Sequence, residues 1–193
     1  MRKFFLFVWE IIKVVSISLA IILPVRYYLI QPFYVKGASM EPNFHDHEYL
    51  IIDEISYRFN EPTRGQVIVF RYPKDPQEYF IKRIIGLPGE EVQIKDGRVK
   101  IFNALYPEGT VLNEVYLPDG LGTYDNSESL IKVGDNEYFV LGDNRPASKD
   151  SRSFGPVDKA FITGKVLFRG WPFSRVTLFD RNYWPQYGEI VSN

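Results

Sequence analysis

Ser39 and Lys82 are two residues whose types could together perform nucleophilic catalysis. Ser39 lies in the small-residue turn Val35-Lys-Gly-Ala-Ser-Met-Glu-Pro42, and Lys82 lies in the apolar run Tyr79-Phe-Ile-Lys-Arg-Ile-Ile85. A serine hydroxyl is a weak nucleophile until an adjacent base accepts its proton. A serine in such a turn is usually only part of the turn, so the prediction of a nucleophile depends on what the rest of the chain supplies.

Lys82 can act as a base only if its surroundings are apolar. A free lysine has a pKa of about 10.4 and is therefore charged at neutral pH. Side chains alternate along a strand, so Phe80 and Ile84 share the face of Lys82, and apolar neighbours lower the pKa of a lysine. The alternative is an edge strand on which Lys82 and Arg83 are both solvated. We predict the first arrangement, a buried lysine base beside Ser39.

The loop from Gly142 to Gly155 is the second region dense in polar groups. Its sequence, Gly142-Asp-Asn-Arg-Pro-Ala-Ser-Lys-Asp-Ser-Arg-Ser-Phe-Gly155, has the composition of a polar surface loop. It also offers four oxygen-bearing side chains that would suit calcium: Asp143, Asn144, Ser148 and Asp150. The loop lacks the glutamate that ends an EF-hand site, so its spacing does not favour a metal.

The two histidines, His45 and His47, are alternative bases for Ser39. A Ser-His-Asp triad is defined by geometry and not by residue order, so this alternative stays open. Both histidines lie in the charged turn His-Asp-His-Glu, where we expect them to be solvated. Without cysteines, two histidines do not indicate a metal site.

The composition restricts the class of protein. The 193 residues include 23 Lys and Arg and 24 Asp and Glu, a formal net charge of −1, so no overall field attracts the chain to nucleic acid. The absence of cysteine excludes disulfides, thiolate metal sites and a cysteine nucleophile. The 14 Gly, 13 Pro, 15 Phe and 13 Tyr favour a turn-rich β protein.

Residues 36–193 are predicted to form an all-β domain. Short β-branched runs alternate with turns, and the predicted strands are 49–53, 66–70, 79–85, 91–94, 98–102, 137–141 and 161–168. Asp96-Gly97 predicts a type I′ hairpin turn. Residues 103–134 are richer in polar residues and glycine, so we expect an irregular insertion outside the core, with one or two edge strands.

Residues 14–35 are apolar enough to cross a membrane as a helix. Arg26 is the sole charge among them, and a helix of this length would span about 33 Å, enough for a bilayer core. The positive-inside rule places the N-terminus in the cytoplasm, because three basic residues precede or begin this stretch: Arg2, Lys3 and Lys13. The prediction is a cytoplasmic N-terminus and transmembrane anchor over 1–35, followed by an extracytoplasmic domain over 36–193.

A cleaved signal peptide and a buried core helix are the alternatives to an anchor. Ser18-Leu-Ala20 fits a small-x-small cleavage site, but Ile-Ile-Leu follows it, whereas such sites usually end the apolar run. An apolar stretch of this length is also unusual in the core of a small domain. We favour the anchor, on which Glu10 and Lys13 are spaced to pair along one helix face.

Three stretches of the chain, taken in order, resemble the type I signal peptidases, the membrane-anchored serine proteases with a Ser-Lys dyad. The stretches are Gln31-Pro-Phe-Tyr-Val through Ser-Met-Glu-Pro42, Phe80-Ile-Lys-Arg-Ile-Ile-Gly-Leu-Pro-Gly-Glu90, and Leu141-Gly-Asp-Asn-Arg through Ser148-Lys-Asp-Ser-Arg152. The resemblance covers nearly the whole chain. One such stretch would be weak evidence, whereas three in the same order and spacing are specific.

The resemblance implies roles for individual residues. Ser39 is expected to be the nucleophile, with its backbone N–H in the oxyanion hole, and Lys82 the general base. Ser148 matches the family serine that orients the lysine amine. Two pairs match positions that hold the loop against the dyad: Asp150 with Arg152, and Arg83 with Asp143.

The resemblance also implies the fold, the reaction and the location. The fold is a set of coiled antiparallel β-sheets after one transmembrane helix. The reaction is hydrolysis after small-x-small sites, which removes N-terminal signal peptides from exported preproteins, and it needs no cofactor or metal. The expected partners are preproteins and the lipid bilayer. The expected location is the cell membrane, with the catalytic domain on the extracytoplasmic side.

Two positions depart from the family pattern. Gly37 stands where many members have a serine whose hydroxyl assists the oxyanion hole, so the Ser39 N–H is expected to act with another backbone donor or water. Asn43 stands where threonine usually follows the proline, and we expect it to shape the turn.

Met40 and Phe44, beside the serine, are expected to lie in the membrane interface.

Three other functions are alternatives to a signal peptidase. A self-cleaving Ser-Lys repressor would need a DNA-binding helical domain, but residues 1–35 are membrane-like. An inactive anchored module that binds exported peptides would not require Ser39, Lys82 and Ser148 together. A structural surface protein explains none of the three stretches.

Overall fold

The computed structural model describes residues 2–28, 30–125 and 128–179. The chain begins with one helix, α1 (Arg2–Tyr28), and continues directly into a strand, β1 (Ile30–Tyr34). The predicted helix over 14–35 is therefore wrong in its extent, since α1 begins earlier and ends before β1. The end of the predicted domain, beyond residue 179, lies outside the described residues.

Helix α1 does not continue past Tyr28, because the backbone of the next element, β1, is hydrogen-bonded in a sheet. Strand β1 pairs antiparallel over its whole length with β2 (Tyr49–Asp53), with Ile30 opposite Asp53. Pro32 lies within β1, and it has no N–H to donate. This strand forms one end of its sheet, which is where a proline is accepted.

Helix α1 has the length and composition of a membrane span. Its segment Arg2–Leu23 is long and apolar enough to cross a membrane, and none of it is buried against the rest of the described chain. The alternative of a buried core helix is therefore wrong. Lys13 Nζ lies 3.3 Å from a carboxylate oxygen of Glu10, which confirms the predicted pair on one helix face.

The described chain after β2 consists mainly of strands. They are β3 (Val67–Tyr72), β4 (Asp75–Gly86), β5 (Glu91–Lys95), β6 (Arg98–Asn103), β7 (Tyr106–Val111), β8 (Ile131–Lys132), β9 (Glu137–Leu141), β10 (Val157–Asp158), β11 (Ile162–Trp171) and β12 (Thr177–Leu178). Single helical turns interrupt them, namely α2 (Ser56–Phe59), α3 (Ser151–Phe154) and the 3-10 turns Arg145–Ala147, Lys159–Phe161 and Phe173–Arg175. The prediction of a β domain is confirmed.

These strands form two antiparallel sheets among the described residues. The larger has the order β1, β2, β11, β3, β4, β9, β10, with β12 paired to β11, and the smaller has the order β7, β6, β5, β8. Each strand predicted from the sequence is present. The turn between β5 and β6 has positive φ at both Asp96 (52°) and Gly97 (74°), as a type I′ turn requires. Three strands were not predicted: β1 lies in the stretch that was assigned to the helix, and β10 and β12 have only two residues each and therefore no readable alternation.

The serine turn folds its apolar side chains into the core. Met40 and Phe44 are 0% and 1% exposed, and they belong to a buried cluster with Leu50, Val69 and Val166 from β2, β3 and β11. The expectation that these two residues lie in the membrane interface is therefore wrong. Burial against the sheet removes the same apolar surface from water that the interface would have removed.

The insertion at 103–134 contributes two edge strands, as predicted, because β7 and β8 form the two ends of the smaller sheet. The rest of the insertion is less peripheral than predicted. Leu112 and Tyr116 pack against the buried cluster that lies between the two sheets, and Thr123 is fully buried. The description of this segment as lying outside the core is wrong for these residues.

Candidate active site

The turn that carries Ser39 connects β1 to β2 and is held from two sides. On one side, the Gly37 N–H donates to Asp46 Oδ1 at 2.9 Å. Gly37 has a φ of +88°, a conformation that glycine adopts readily. On the other side, the Ser39 carbonyl accepts from the Asn144 N–H at 3.1 Å, and the Ala38 carbonyl accepts from the Asn144 side chain at 3.0 Å. The backbone around Ser39 is therefore fixed.

Lys82 is buried within β4, and its amine lies against Ser39. Strand β4 runs between β3 and β9, so the edge-strand alternative is wrong. Lys82 is 3% exposed, and its Nζ lies 2.8 Å from Ser39 Oγ and 2.7 Å from the Ile81 carbonyl oxygen. Burial lowers the pKa of Lys82 to about 8, against the opposing effect of the negative charges on Asp150 and Asp143.

Arg83, the residue after Lys82, forms a buried bidentate ion pair with Asp143. Arg83 Nε lies 2.8 Å from Asp143 Oδ1, and the same guanidinium donates to Asp143 Oδ2 and to the Gly65 carbonyl. The Asn43 side-chain amide donates to Asp143 Oδ2 at 2.8 Å. Asn43 therefore does more than shape the serine turn, because it joins that turn to the ion pair.

Asp150 and Arg152 form the second predicted pair. Arg152 donates through Nε and Nη2 to the two carboxylate oxygens of Asp150, each at 2.8 Å. Asp150 Oδ2 also accepts from the Gly142 N–H at 3.0 Å, which closes the loop after β9. The calcium alternative required the carboxylates of Asp143 and Asp150. Each of them is instead paired with a guanidinium group.

Ser148 lies in the same loop, but the structure does not join it to Lys82. Its Oγ is buried and has no hydrogen-bond partner within the described part of the chain. It packs against Gly142, where an added Cβ would lie 2.1 Å from Ser148 Oγ and 2.5 Å from the Ser39 carbonyl oxygen. The predicted role of Ser148 in orienting the lysine amine stays a prediction.

The two histidines are engaged with other partners. His47 Nδ1 contacts the Tyr34 hydroxyl, and its Nε2 lies 3.3 Å from a carboxylate oxygen of Asp46. His45 Nδ1 lies 3.6 Å from Glu41. The rings of both histidines therefore contact residues other than Ser39. Ser39 Oγ is instead contacted by Lys82.

Ser39 and Lys82 open onto a cleft of about 680 Å³. Residues 33–39 form one wall and residues 77–82 of β4 form the other, with Ala147 and Lys149 at the rim. About half of the lining residues are apolar or aromatic, with Phe33, Ala38, Tyr79, Phe80 and Ile81 among them, and the rest are polar or charged.

Residues 8–171 match the model of the family described as signal peptidase, peptidase S26. The chain belongs to this family. It is 36% identical over 174 residues to a probable signal peptidase I-2 of Synechocystis sp., with 88% of this chain and 76% of the relative aligned. It is 32% identical over 183 residues to signal peptidase IB of Staphylococcus aureus strain Mu50, with 89% and 92% aligned. The predicted resemblance is confirmed.

A solved structure is also similar. The signal peptidase I of Enterococcus faecalis V583 is 33% identical and aligns with a TM-score of 0.45, over 55% of this chain and 97% of that one.

Sequence reasoning missed several side chains around this family site. Asn144 had no predicted role beyond the calcium alternative, Arg145 had none, and Glu114 and Tyr116 were assigned to the insertion. In the structure, buried Arg145 pairs with Glu114, and the Tyr116 hydroxyl accepts from Arg145 at 2.8 Å. No local pattern indicates these contacts, because the partners are about thirty residues apart and lie in loops.

Proposed function

We propose that this protein is a membrane-anchored serine endopeptidase that removes N-terminal signal peptides from exported preproteins, with Ser39 as nucleophile and Lys82 as general base. The observation that carries the proposal is the 2.8 Å separation between Ser39 Oγ and Lys82 Nζ, which belongs to a side chain that is only 3% exposed. Membership of the signal peptidase family supports the reaction class. An inactive binding module gives no reason for a buried lysine beside a serine hydroxyl.

The first half of the proposed reaction forms an acyl-enzyme. Neutral Lys82 accepts the hydroxyl proton as Ser39 Oγ bonds to the carbonyl carbon of the scissile peptide. The resulting ammonium gives that proton to the leaving nitrogen as the C–N bond breaks, which releases the mature protein. The signal peptide stays esterified to Ser39.

The second half consumes one water molecule. Lys82 accepts a proton from this water as its oxygen bonds to the acyl carbon, and the proton then passes to Ser39 Oγ as the ester bond breaks. The signal peptide leaves as a carboxylic acid, which gives its remaining proton to solvent at neutral pH, and both residues return to their starting states.

The negative charge that develops on the carbonyl oxygen requires hydrogen-bond donors. We assign one of them to the Ser39 backbone N–H. Gly37 has no hydroxyl, and its own N–H is already donated to Asp46, so neither group of this residue serves as the second donor. Another backbone donor or a water molecule takes that place.

The supporting residues hold the loop after β9 against the dyad. The Arg83–Asp143 pair fixes the start of this loop, and the Asp150–Arg152 pair fixes its end. Ser148 lies between them, and we propose that its hydroxyl orients the Lys82 amine. Buried ion pairs of this kind mainly fix geometry, because the cost of desolvation offsets most of their attraction.

The location of the cleft fits a substrate that is itself in the membrane. We propose that α1 crosses the bilayer with the basic N-terminus in the cytoplasm and that the β domain lies outside. Because β1 follows α1 directly, the cleft wall at residues 33–39 lies only a few residues beyond the span. Tethering enzyme and preprotein to one membrane raises their effective concentration.

The apolar lining of the cleft supports a preference for small-x-small sites. The lining includes Ala38 and Ile81, next to Ser39 and Lys82 respectively, so uncharged side chains are favoured close to the reacting atoms. The cleavage of Ala-x-Ala sites is the form of this preference that we propose.

The test is the cleavage of a preprotein that carries an Ala-x-Ala site, with enzyme and substrate in detergent. Wild type and the control Lys132→Met, at an exposed position on β8, are expected to cut after the second alanine. Ser39→Ala and Lys82→Met are expected to be inactive. Cleavage by Lys82→Met would place the base elsewhere and return His45 and His47 to consideration. Folded but inactive wild type would favour the peptide-binding module.

A further inference from the structure

Asn144 binds both carbonyl groups that flank the Cα of Ser39. Its backbone N–H donates to the Ser39 carbonyl at 3.1 Å, and its side-chain amide donates to the Ala38 carbonyl at 3.0 Å. The peptide unit that joins Ala38 to Ser39 is planar and trans, so its C=O and N–H point in opposite directions. A donor that fixes the Ala38 carbonyl therefore also fixes the direction of the Ser39 N–H.

Arg145, the next residue, anchors this part of the loop. Its side chain is 1% exposed, and its Nε donates to the Gly142 carbonyl at 2.9 Å. Its Nη1 donates to Glu114 Oε2 at 3.0 Å and to the Thr123 hydroxyl, and its Nη2 donates to the Tyr116 hydroxyl at 2.8 Å. A guanidinium with this many charge-assisted hydrogen bonds cannot rotate without breaking several of them at once.

The partners of the two Arg145 Nη groups come from one segment, residues 112–125, which contacts the serine turn as well. The Tyr116 carbonyl accepts from the Asn43 side chain at 2.9 Å, and the Tyr116 ring lies 4.0 Å from the guanidinium carbon of Arg83. The segment therefore contacts both the catalytic loop and the turn that carries Ser39. Its role in the proposed function is otherwise unassigned.

We propose that Asn144 is a positioning residue that directs the Ser39 N–H toward the oxyanion, and that Glu114 acts through Arg145 to keep Asn144 in place. The inference rests on the proposed function, since it concerns the same site. Neither residue touches substrate. The segment 112–125 is thereby a structural support for the oxyanion hole.

The first test replaces each residue and measures the cleavage of a short Ala-x-Ala peptide by the full chain in detergent. Asn144→Ala keeps the backbone hydrogen bond to Ser39 but removes the one to Ala38. Its kcat is expected to fall about 10- to 100-fold, below the loss of about 10²- to 10³-fold seen when an oxyanion donor is deleted. KM should change less than about threefold, because the contact matters mainly in the transition state.

Glu114→Gln is expected to lower kcat by about tenfold, since Arg145 then loses its charged partner but keeps its other acceptors. Two exposed positions outside this segment provide matched controls, Asn136→Ala and Glu108→Gln, which are expected to keep wild-type kinetics. The pH midpoint of kcat/KM should stay unchanged in Asn144→Ala, because Lys82 keeps its surroundings.

A double variant distinguishes a linked role from general destabilisation. If Glu114 acts through Asn144, then Glu114→Gln with Asn144→Ala has the kcat of Asn144→Ala alone, whereas independent effects multiply. A peptide aldehyde whose adduct with Ser39 carries an oxyanion should bind Asn144→Ala more weakly, by the factor lost in kcat/KM. Partial unfolding would lower the number of active sites and leave that inhibition constant unchanged.

The outcomes separate this inference from the proposed function. Active wild type with wild-type kcat in Asn144→Ala, multiplicative losses in the double variant, or an unchanged aldehyde affinity would each overturn the positioning role alone. If wild type and all variants fail to cut while folded, the proposed function is wrong and the inference falls with it.

Discussion

At the scale of single residues, the protonation state of Lys82 decides when the site can work. Only the neutral amine accepts the Ser39 proton, and burial lowers the pKa of Lys82 from its ordinary 10.5 to about 8. We expect kcat/KM on a short peptide to rise with pH through a midpoint near 8 and then to level off. A midpoint near the ordinary lysine value, or a flat profile, would contradict this assignment.

The same shift in pKa should be visible in stability. Between pH 8 and 10.5 the unfolded chain holds the Lys82 proton and the folded chain does not, so the free energy of unfolding rises with pH in this range. Lys82→Met lacks this dependence. Across this pH range, the free energy of unfolding of wild type should therefore rise by up to about 3 kcal/mol relative to that of Lys82→Met. Urea unfolding at both pH values measures it, and a constant difference would rule the shift out.

Gly37 has a backbone conformation that disfavours any side chain, including that of serine. At φ +88°, a side chain at this position is strained even though nothing lies within 4 Å of an added Cβ. Gly37→Ser is expected to lower the free energy of unfolding by about 1 kcal/mol and to bring no gain in activity. Gly170→Ala, in β11 with ordinary φ, provides the control. Higher activity in Gly37→Ser would show that a hydroxyl completes the oxyanion hole here.

At the scale of elements, the loop after β9 and the serine turn pack together without spare volume. Gly142 shows this most directly, because a Cβ there would overlap both Ser148 Oγ and the Ser39 carbonyl oxygen. The loop must therefore shift if any side chain is added at this position. Such a shift would also disturb the hydrogen bond between the Gly142 N–H and Asp150.

Gly142→Ala is expected to reduce kcat by at least about 100-fold and to destabilise the protein by about 1–3 kcal/mol. Adding Ser148→Ala should not restore activity, because the backbone oxygen of Ser39 still lies 2.5 Å from the added carbon. Peptide cleavage and urea unfolding of the single and double variants measure both effects. Full recovery in the double variant would show that the Ser39 contact is easily relieved.

At the scale of the whole molecule, β1 joins the proposed anchor to the catalytic domain. The strand pairs with β2 and provides Phe33 and Tyr34 to the cleft. Because α1 ends at Tyr28 and β1 begins at Ile30, we propose that the domain begins with β1 and not after residue 35. A truncation at the boundary taken from hydropathy alone would remove an element of the sheet.

Two truncations test this boundary. Removing residues 1–28 should leave a folded domain that cuts a short peptide at a rate close to that of the full chain, with a lower rate on membrane-inserted preprotein. Removing residues 1–35 should lower Tm and favour aggregation, since it exposes the edge of β2. Thermal unfolding and gel filtration compare the two. Equal stability would show that β1 adds nothing to the domain.

The sequence by itself determined the family, the β class and the strands with clear alternation, because these depend on local patterns and on motifs that each occupy a short stretch. It also singled out Ser39 and Lys82 as candidates, an assignment that the contact between their side chains supports. Tertiary structure alone decided the end of α1, the burial of Met40 and Phe44, and the support that Glu114 gives to Arg145. Each of these depends on which distant segments pack together, and the free energy of burying a side chain or pairing a charge is set by neighbours that no local window contains.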